Sequence, residues 1–411
     1  MKKHTICLVS NWFPTKENPI VGCFFKEQAI AVADYFDFIV FRYQELKSKN
    51  PFKRNLITCI NKENNITEFS AISYIPIFLG FYEFIFTFFR RKKYSYNVND
   101  RIGTYYSKLK KQIIYNKITK LARKIKLNAD IFYCVDAQNE AFNTQCLAQF
   151  YKKPFVIGEH APVPWPGLLN NVNKEAIEKS NLFFAISNDK IRQMMLQNIK
   201  LPKTVYIGNM IDETKFKYKP RDIDKKTFIV VAANSYYKNY SLLIKVFNRL
   251  VKITDKDFCI MIVGYAANKG YSQNIKEFEK RIEHSLFYDK VELIPEVPRV
   301  EIAKLYNKAD AFILTSIQEG QPVSALEAAC SGLPIFSTRC GGVEDYVDNR
   351  IGRLYDINDY CGIASGLKDF VEGHIVFDGK YIRKKIVEMF GRNAFVTKFS
   401  NTIDEIIKNY A

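Results

Sequence analysis

Two glutamates eight positions apart, Glu319 and Glu327, bracket the stretch of this chain best suited to chemistry. The stretch reads Ser316-Ile317-Gln318-Glu319-Gly320-Gln321-Pro322-Val323-Ser324-Ala325-Leu326-Glu327-Ala328-Ala329. It follows the apolar run Ala311–Thr315, read as a strand, and opens a helix over Pro322–Ser331. Pro322 suits the first helical turn, where a missing N–H costs nothing. The free amides around Gln321 to Ser324 then form an anion site at the positive end of the helix. Glu319 lies just before that end, and Glu327 projects from within the helix among small residues. A carboxylate beside an anion site and a second one nearby suit a ligand bearing both hydroxyls and phosphate. Spacing alone leaves another reading open, in which Glu319 is a capping acid and Glu327 a solvated one.

A turn of this kind needs a strand that ends at the ligand and a helix that starts there. The chain supplies such pairs repeatedly. Short apolar runs alternate with amphipathic stretches, the pattern of parallel sheets with helices on both faces. Strands are expected at Thr5–Ser10, Asp37–Arg42, Ile131–Val135, Phe155–Gly158 and Leu182–Ile186, with helices at Phe24–Asp34 and Ile113–Lys126. Lys215 to Lys226 is polar, contains Pro220 and reads as a linker. A second alternation follows: strands at Thr227–Ala232, Phe258–Val263, Val291–Ile294, Ala311–Thr315 and Ile335–Ser337, with helices between them. The expected fold class is therefore α/β, with two Rossmann-like domains facing each other across a cleft. The domains would cover residues 1–212 and 227–390, joined by a linker at 213–226, with a C-terminal helix at 391–411 packing back toward the first domain. Ligands in such sheets bind outside the carboxyl ends of the strands.

Length and composition agree with this. At 411 residues the chain is too long for one ordinary core. With 47% hydrophobic and 25% charged residues, it is globular and not disordered. Its nine cysteines form no C-x-x-C pair and its four histidines are scattered, which argues against a zinc site and for reduced thiols packed as small hydrophobes. Lys2 and Lys3 precede only a short apolar run, without the longer core and cleavage site of a signal peptide. The most apolar stretch, Ile75 to Phe89, is interrupted by Glu83 and falls short of the roughly 20 residues a membrane span requires. A cytoplasmic location is expected.

The segment around the two glutamates resembles the retaining family 4 glycosyltransferases, which have the GT-B fold and belong to the glycosyl transferases of group 1. Glu319 and Glu327 form that family's E-x7-E pattern. The resemblance extends over most of the chain. Asn209-Met210-Ile211-Asp212 is similar to the family's segment before the linker, and Ala309-Asp310 to the stretch preceding the first glutamate. Gly332-Leu333-Pro334 followed by Gly341-Gly342 matches the segment after the second glutamate. Pro19-Ile20-Val21-Gly22 before Phe24-Phe25-Lys26-Glu27-Gln28-Ala29 looks like the N-terminal glycine loop.

The resemblance implies a glycosyltransferase that moves a sugar from a nucleotide diphosphate sugar, bound mainly by the second domain, to an acceptor bound by the first. Glu319 would hydrogen-bond hydroxyls of the donor sugar, and Glu327 would accept from the ribose. Gly320, Gln321, Pro322 and Val323 would present backbone groups to the sugar and diphosphate. Lys238, in Tyr237-Lys238-Asn239, matches the lysine that neutralises the leaving diphosphate. His160, in Gly158-Glu159-His160-Ala161-Pro162, matches a histidine that faces the donor sugar. Gly22 would let the backbone approach the diphosphate. Without that context Lys238 reads as a solvated loop lysine, His160 as a structural strand-end histidine and Gly22 as a turn glycine. No cofactor and no metal are expected. The resemblance implies retention at the anomeric carbon, the leaving diphosphate helping to deprotonate the acceptor on the same face. The chain departs from the family at three places: Ala233 stands where many members carry an Arg, Gln321 replaces an aromatic residue, and Glu344-Asp345 follows the glycine pair.

The first half is strongly basic. Between Arg90 and Lys126 thirteen Lys or Arg face a single acid, Asp100, within a chain of net charge +18. Ile75–Lys93 joins an aromatic stretch to Arg90-Arg91-Lys92-Lys93, the pattern of a segment lying on an anionic membrane surface. A lipid-linked saccharide acceptor, as in cell-surface polysaccharide assembly, would explain such a surface. In Lys108–Lys126 the residues Ile113, Ile114, Ile118, Leu121 and Ile125 lie near one helical face, and two readings stand: a membrane face or the domain's own core. Three rival functions remain. A nucleotide-sugar epimerase shares the architecture, an inactive relative would only bind sugars, and the charge alone would suit a nucleic-acid binder. No recognisable nucleic-acid module is present, so no specific nucleic-acid partner is expected.

Overall fold

The structure is a computed structural model that describes residues 3–15, 21–50, 52–63, 65–76, 108–161, 170–220, 225–266 and 275–410. The chain divides into two compact units, Met1–Ile207 with Val396–Ala411, and Gly208–Phe395.

In the first unit the order is β1 (His4–Val9), α1 (Cys23–Ala31), β2 (Phe36–Ser48), β3 (Leu56–Glu63), β4 (Ile66–Pro76), α2 (Lys108–Lys124), β5 (Ile131–Cys134), α3 (Ala137–Tyr151), β6 (Phe155–Glu159), α4 (Asn171–Glu178), β7 (Leu182–Ala185), α5 (Asn188–Leu196) and β8 (Thr204–Tyr206). The strands form one sheet in the order β3-β4-β2-β1-β5-β6-β7-β8. Only β3 runs antiparallel to its neighbour. Ile6 to Val9 and Ile131 to Cys134 are buried, as central strands covered on both faces must be. The chain leaves β1 toward β2 on one side and later returns to pair β5 on the other, so the strand order reverses at β1. β2 pairs with β1 only as far as Phe41, then continues beside β4 to Ser48.

The apolar face of α2 settles one open alternative. Ile114, Ile118 and Leu121 are buried in the unit's own core with Phe132 and Leu147, and Ile125 packs against that core. Lys120 and Lys124 are exposed on the other side. This helix therefore solvates its lysines and does not offer its apolar face to a membrane. Of the second basic segment, Ile75 and Pro76 close β4; residues 77–93 lie outside the described residues.

In the second unit the order is β9 (Lys226–Val231), a 3-10 turn (Tyr236–Lys238), α6 (Tyr240–Ile253), β10 (Phe258–Val263), α7 (Ile275–Glu283), β11 (Val291–Ile294), α8 (Arg299–Tyr306), β12 (Ala311–Leu314), α9 (Val323–Cys330), β13 (Ile335–Thr338), β14 (Gly352–Tyr355), α10 (Tyr360–Val371) and α11 (Gly379–Phe390). Its sheet is wholly parallel, ordered β11-β10-β9-β12-β13-β14. The core joins Phe228 and Val230 of β9 to Leu243, Val246, Phe247 and Leu250 of α6, which recur at helical spacing. The last helix, α12, spans Arg392–Tyr410. Its Phe399 stacks on Phe184 at 5.6 Å within the first unit, where Lys203 also pairs with Glu405 at 2.6 Å.

Candidate active site

The carboxyl ends of β9 and β12 hold the second unit's chemistry. After β9 the chain turns through Tyr236–Lys238 and reaches Asn239, whose left-handed backbone (φ 50°) is one that asparagine tolerates. Asn239 Oδ1 accepts from Leu242 N at 3.3 Å and so starts α6. Two bonds stitch this turn to the loop after β12. Thr315 Oγ1 donates to Lys238 O at 3.1 Å, and Ile317 N donates to Tyr237 O at 2.7 Å. The stitching brings Lys238 Nζ to 2.5 Å from Glu319 Oε1. Ser316 Oγ donates to the same oxygen at 2.6 Å. Glu319 is buried, while a quarter of the Lys238 side chain is exposed. A ligand offering hydroxyls to Glu319 and phosphate to Lys238 can part this pair without stranding either charge.

Glu319 does not cap the next helix. The N-cap of α9 is Pro322, whose side chain makes no capping bond to the helix start. Gln321 turns instead to the segment before the linker: its Oε1 accepts from Asn209 N, and its carbonyl accepts from Asn209 Nδ2 at 3.0 Å. The glycine pair presses on the same loop. Gly342 has φ +73°, and a Cβ there would lie 2.3 Å from Gly320 O. Glycine is thus required at 342 to let the backbone close on Gly320 and Gln321. Glu344 accepts from Gly341 N at 3.1 Å, which makes it part of this loop's structure.

Glu327 is not solvated either. It is 4% exposed and accepts from Arg299 of α8, through Nη2 at 2.9 Å and Nε at 3.3 Å. Tyr306, fully buried, donates to Ser324 O at 3.0 Å and lies 3.4 Å from Glu327 Oε2. Burial and the adjacent carboxylate hold the Tyr306 phenol well above its ordinary range, so it stays a donor. Lys238, Glu319, Gly320, Gln321, Pro322, Val323 and Glu327 all belong to this one unit.

Gly22 and His160 belong to the first unit. Gly22 is the left-handed N-cap of α1 (φ 67°), and a Cβ there would meet Trp12 O at 2.4 Å. Phe25, one turn on, packs edge-on against the His160 ring at 4.7 Å. His160 follows β6, and its Nδ1 lies 3.2 Å from Val135 O. A carbonyl only accepts, so Nδ1 carries the proton and Nε2 is left as an acceptor. Burial pushes the imidazole down to about 3, with the Lys190 charge adding to the effect, so the ring is neutral at ordinary pH. Ala161, the next residue, is gripped from both sides: its N–H donates to Glu159 Oε1 at 2.8 Å, and its carbonyl accepts from Lys190 Nζ. Burial raises Glu159 and lowers Lys190, while their mutual attraction opposes both shifts. Among the described residues no cluster of three or more His, Cys, Asp or Glu could hold a metal ion, and no helix is long and apolar enough to cross a membrane.

Residues 211–388, which contain the whole second-unit constellation, match the family described as glycosyl transferases group 1. The matched segment carries that family's domain. A glycosyltransferase of Haemophilus influenzae, otherwise uncharacterized, is 25% identical over 284 residues, 66% of this chain and 76% of that protein. A sucrose-phosphate synthase from Thermosynechococcus elongatus superposes with a TM-score of 0.71 at 13% identity, covering 99% of this chain and 100% of that one. HepE of Anabaena, solved with UDP and glucose, superposes with a TM-score of 0.66 at 13% identity, covering 98% and 100%. These likenesses give the glycosyltransferase the GT-B fold of two Rossmann-like units.

Three parts of the glycosyltransferase's site carry no signal in the sequence. Arg299 reaches Glu327 across 28 residues. Ser316 shares an oxygen with Lys238, and Gln321 binds Asn209 across 112 residues. The Arg expected at position 233 is absent. The cations that meet the two glutamates are Lys238 and Arg299.

Proposed function

We propose that this glycosyltransferase transfers a sugar, with retention of configuration and without a metal, from a nucleoside diphosphate sugar to a saccharide or lipid-linked saccharide in cell-surface polysaccharide synthesis. The observation that carries the reading is the pair of carboxylate–cation contacts, Lys238–Glu319 and Arg299–Glu327, flanking the start of α9. Glu319 takes hydroxyls of the donor sugar and Glu327 those of the ribose. Lys238, released from Glu319, turns to the diphosphate together with the backbone N–H groups of Gly320, Gln321 and Val323 at the start of α9. Charge develops on the diphosphate as its bond to the anomeric carbon breaks, and these groups stabilise it. The acceptor oxygen bonds to that carbon on the same face and gives its proton to the departing phosphate oxygen. His160 offers a neutral imidazole whose Nε2 accepts from a sugar hydroxyl, and Gly22 keeps side-chain bulk from the diphosphate. UDP is the first nucleotide to try, because HepE of Anabaena was solved with UDP and glucose.

The reading places the protein in the cytoplasm, at the inner face of the membrane where a lipid-linked acceptor resides. The basic composition of the first half supports that location.

The test is release of nucleoside diphosphate from a panel of UDP- and GDP-sugars with saccharide acceptors, with and without EDTA, followed by NMR assignment of the product anomer. EDTA-insensitive transfer with the donor's anomeric configuration is expected. An inverted product, or no transfer from any donor, contradicts the reading.

A further inference from the structure

A cavity of about 410 Å³ is lined by residues of the first unit. That volume falls in the range of small-molecule pockets, roughly 300–1,000 Å³. Asn11, just after β1, forms one wall. Tyr43 to Leu46, where β2 runs on past β1, form another, and Asn139, Glu140 and Asn143 on the first turns of α3 close the third. The cavity therefore sits where the strand order reverses, outside the carboxyl ends of β1 and β5, the place at which open α/β sheets bind ligands.

Its lining selects against charge and for hydroxyls. Of the described residues, ten line it; none is Lys or Arg, and two, Glu45 and Glu140, are carboxylic acids. Lys110 and Lys117 of α2 act on Glu45 electrostatically, but Lys117 Nζ is held by Tyr74 O and neither lysine lines the cavity. Among the described residues, a phosphate would enter against two acids and meet no cation in the lining. The amides are organised around Glu140, which is 2% exposed: Oε1 accepts from Asn11 Nδ2 at 2.5 Å, and Oε2 accepts from Asn143 Nδ2 at 2.9 Å. Asn11 Nδ2 also donates to Tyr43 O at 2.8 Å, so both its N–H groups are used. Its Oδ1 is buried and has no partner among the described residues. A buried acceptor without a donor is costly, and a ligand hydroxyl would satisfy it. Phe142 adds an aromatic wall suited to the C–H face of a ring.

We infer that this cavity binds an uncharged, hydroxyl-rich ring, a neutral sugar residue of the acceptor; naming it the acceptor rests on the transferase reading above. Amides that both donate and accept, an orphan carbonyl and two acids match a polyol better than any anion.

The test uses the full chain in saturation-transfer NMR with the methyl glycosides of glucose, galactose, mannose and N-acetylglucosamine, and with glucose and mannose 6-phosphates. UDP, GDP and their sugar conjugates are titrated in the same samples. At least one neutral glycoside should bind in the millimolar range, ten-fold or more tighter than the sugar phosphates. Asn143→Leu should weaken it at least ten-fold, and the rim substitution Asn139→Leu, at an exposed position, at least three-fold. Nucleotide binding should be unchanged in both variants. No glycoside binding, equal binding in both variants, or tighter binding of a sugar phosphate overturns the inference. Nucleotide binding without glycoside binding defeats the cavity alone; glycoside binding without nucleotide binding defeats the donor-site reading instead.

Discussion

Lys238 and Glu319 meet across 81 residues of sequence, ammonium to carboxylate at 2.5 Å, with Ser316 Oγ on the same oxygen. The contact neutralises two groups that the proposed chemistry uses separately. It also explains how a buried carboxylate can wait for a hydroxyl ligand without the full cost of an unpaired charge.

Replacing Lys238 with Ala should lower kcat by two to three orders of magnitude, the size of effect seen when one preorganised donor to a developing anion is lost, about 2.7–4 kcal/mol. Stability should fall much less, by about 1 kcal/mol, because the lysine is partly exposed and Ser316 still serves Glu319. Steady-state kinetics beside a thermal melt separate the two quantities. A melt shift large enough to account for the lost turnover would assign Lys238 a structural role.

Arg299 has the opposite balance. Arg299→Leu leaves Glu327 buried with its cation gone, which should cost on the order of 3 kcal/mol. The double variant Arg299→Leu, Glu327→Gln removes both charges and should recover most of that stability while nucleotide affinity stays low. Chemical denaturation of the single and double variants measures the coupling. Full additivity of the two changes contradicts a working Arg299–Glu327 pair.

At Gly342 the backbone leaves no room for choice. Alanine there combines φ +73° with a Cβ 2.3 Å from Gly320 O, so the loop must shift. Gly342→Ala should cost more than about 1 kcal/mol and also weaken nucleotide binding, since the displaced residues, Gly320 and Gln321, belong to the candidate site. Unchanged melting and affinity would show that the loop is looser than described.

Burial raises the Glu140 carboxyl from an ordinary 4.5 to about 7, with the nearby Asp136 adding to the effect and the Asn143 and Asn11 bonds opposing it. The folded state then holds this proton more tightly than the unfolded one. Its contribution to stability is complete below pH 4.5 and is lost as pH rises through about 7. Glu140→Gln, which cannot ionise, should therefore gain on the wild type between pH 5 and 8, by roughly 3 kcal/mol at most. Melts across that range check the slope. A constant difference, or one that shrinks with rising pH, contradicts the assignment.

Much of this architecture is legible without coordinates, for physical reasons that also mark the limit. Central parallel strands are continuous apolar runs, so Ile131–Cys134 and Ala311–Leu314 announce themselves. The β3–β4 hairpin escapes, because Thr58, Asn61, Thr67 and Ser70 break up any apolar run at the sheet's edge. The helical stripe of α2 shows that a face is buried but not against what; only the packing on Phe132 and Leu147 decides for core over membrane. In the site, Glu319 and Lys238 stand at turns and Glu327 on the helix that opens there, local features that are readable. Their partners are not. Arg299 of α8 meets Glu327 of α9 across 28 residues, and Asn11 meets Glu140 across 129 residues. Spacing in sequence carries no trace of such meetings.

The central claim is that the second unit binds a nucleoside diphosphate through Lys238 and Glu327. Calorimetric titration of the full chain with UDP, GDP and their common sugar conjugates, without added metal, tests it most directly. The account predicts saturable binding of one nucleoside diphosphate that Lys238→Ala and Glu327→Ala each weaken at least ten-fold in folded protein. Binding equally strong in both variants, or no binding across the panel, contradicts it.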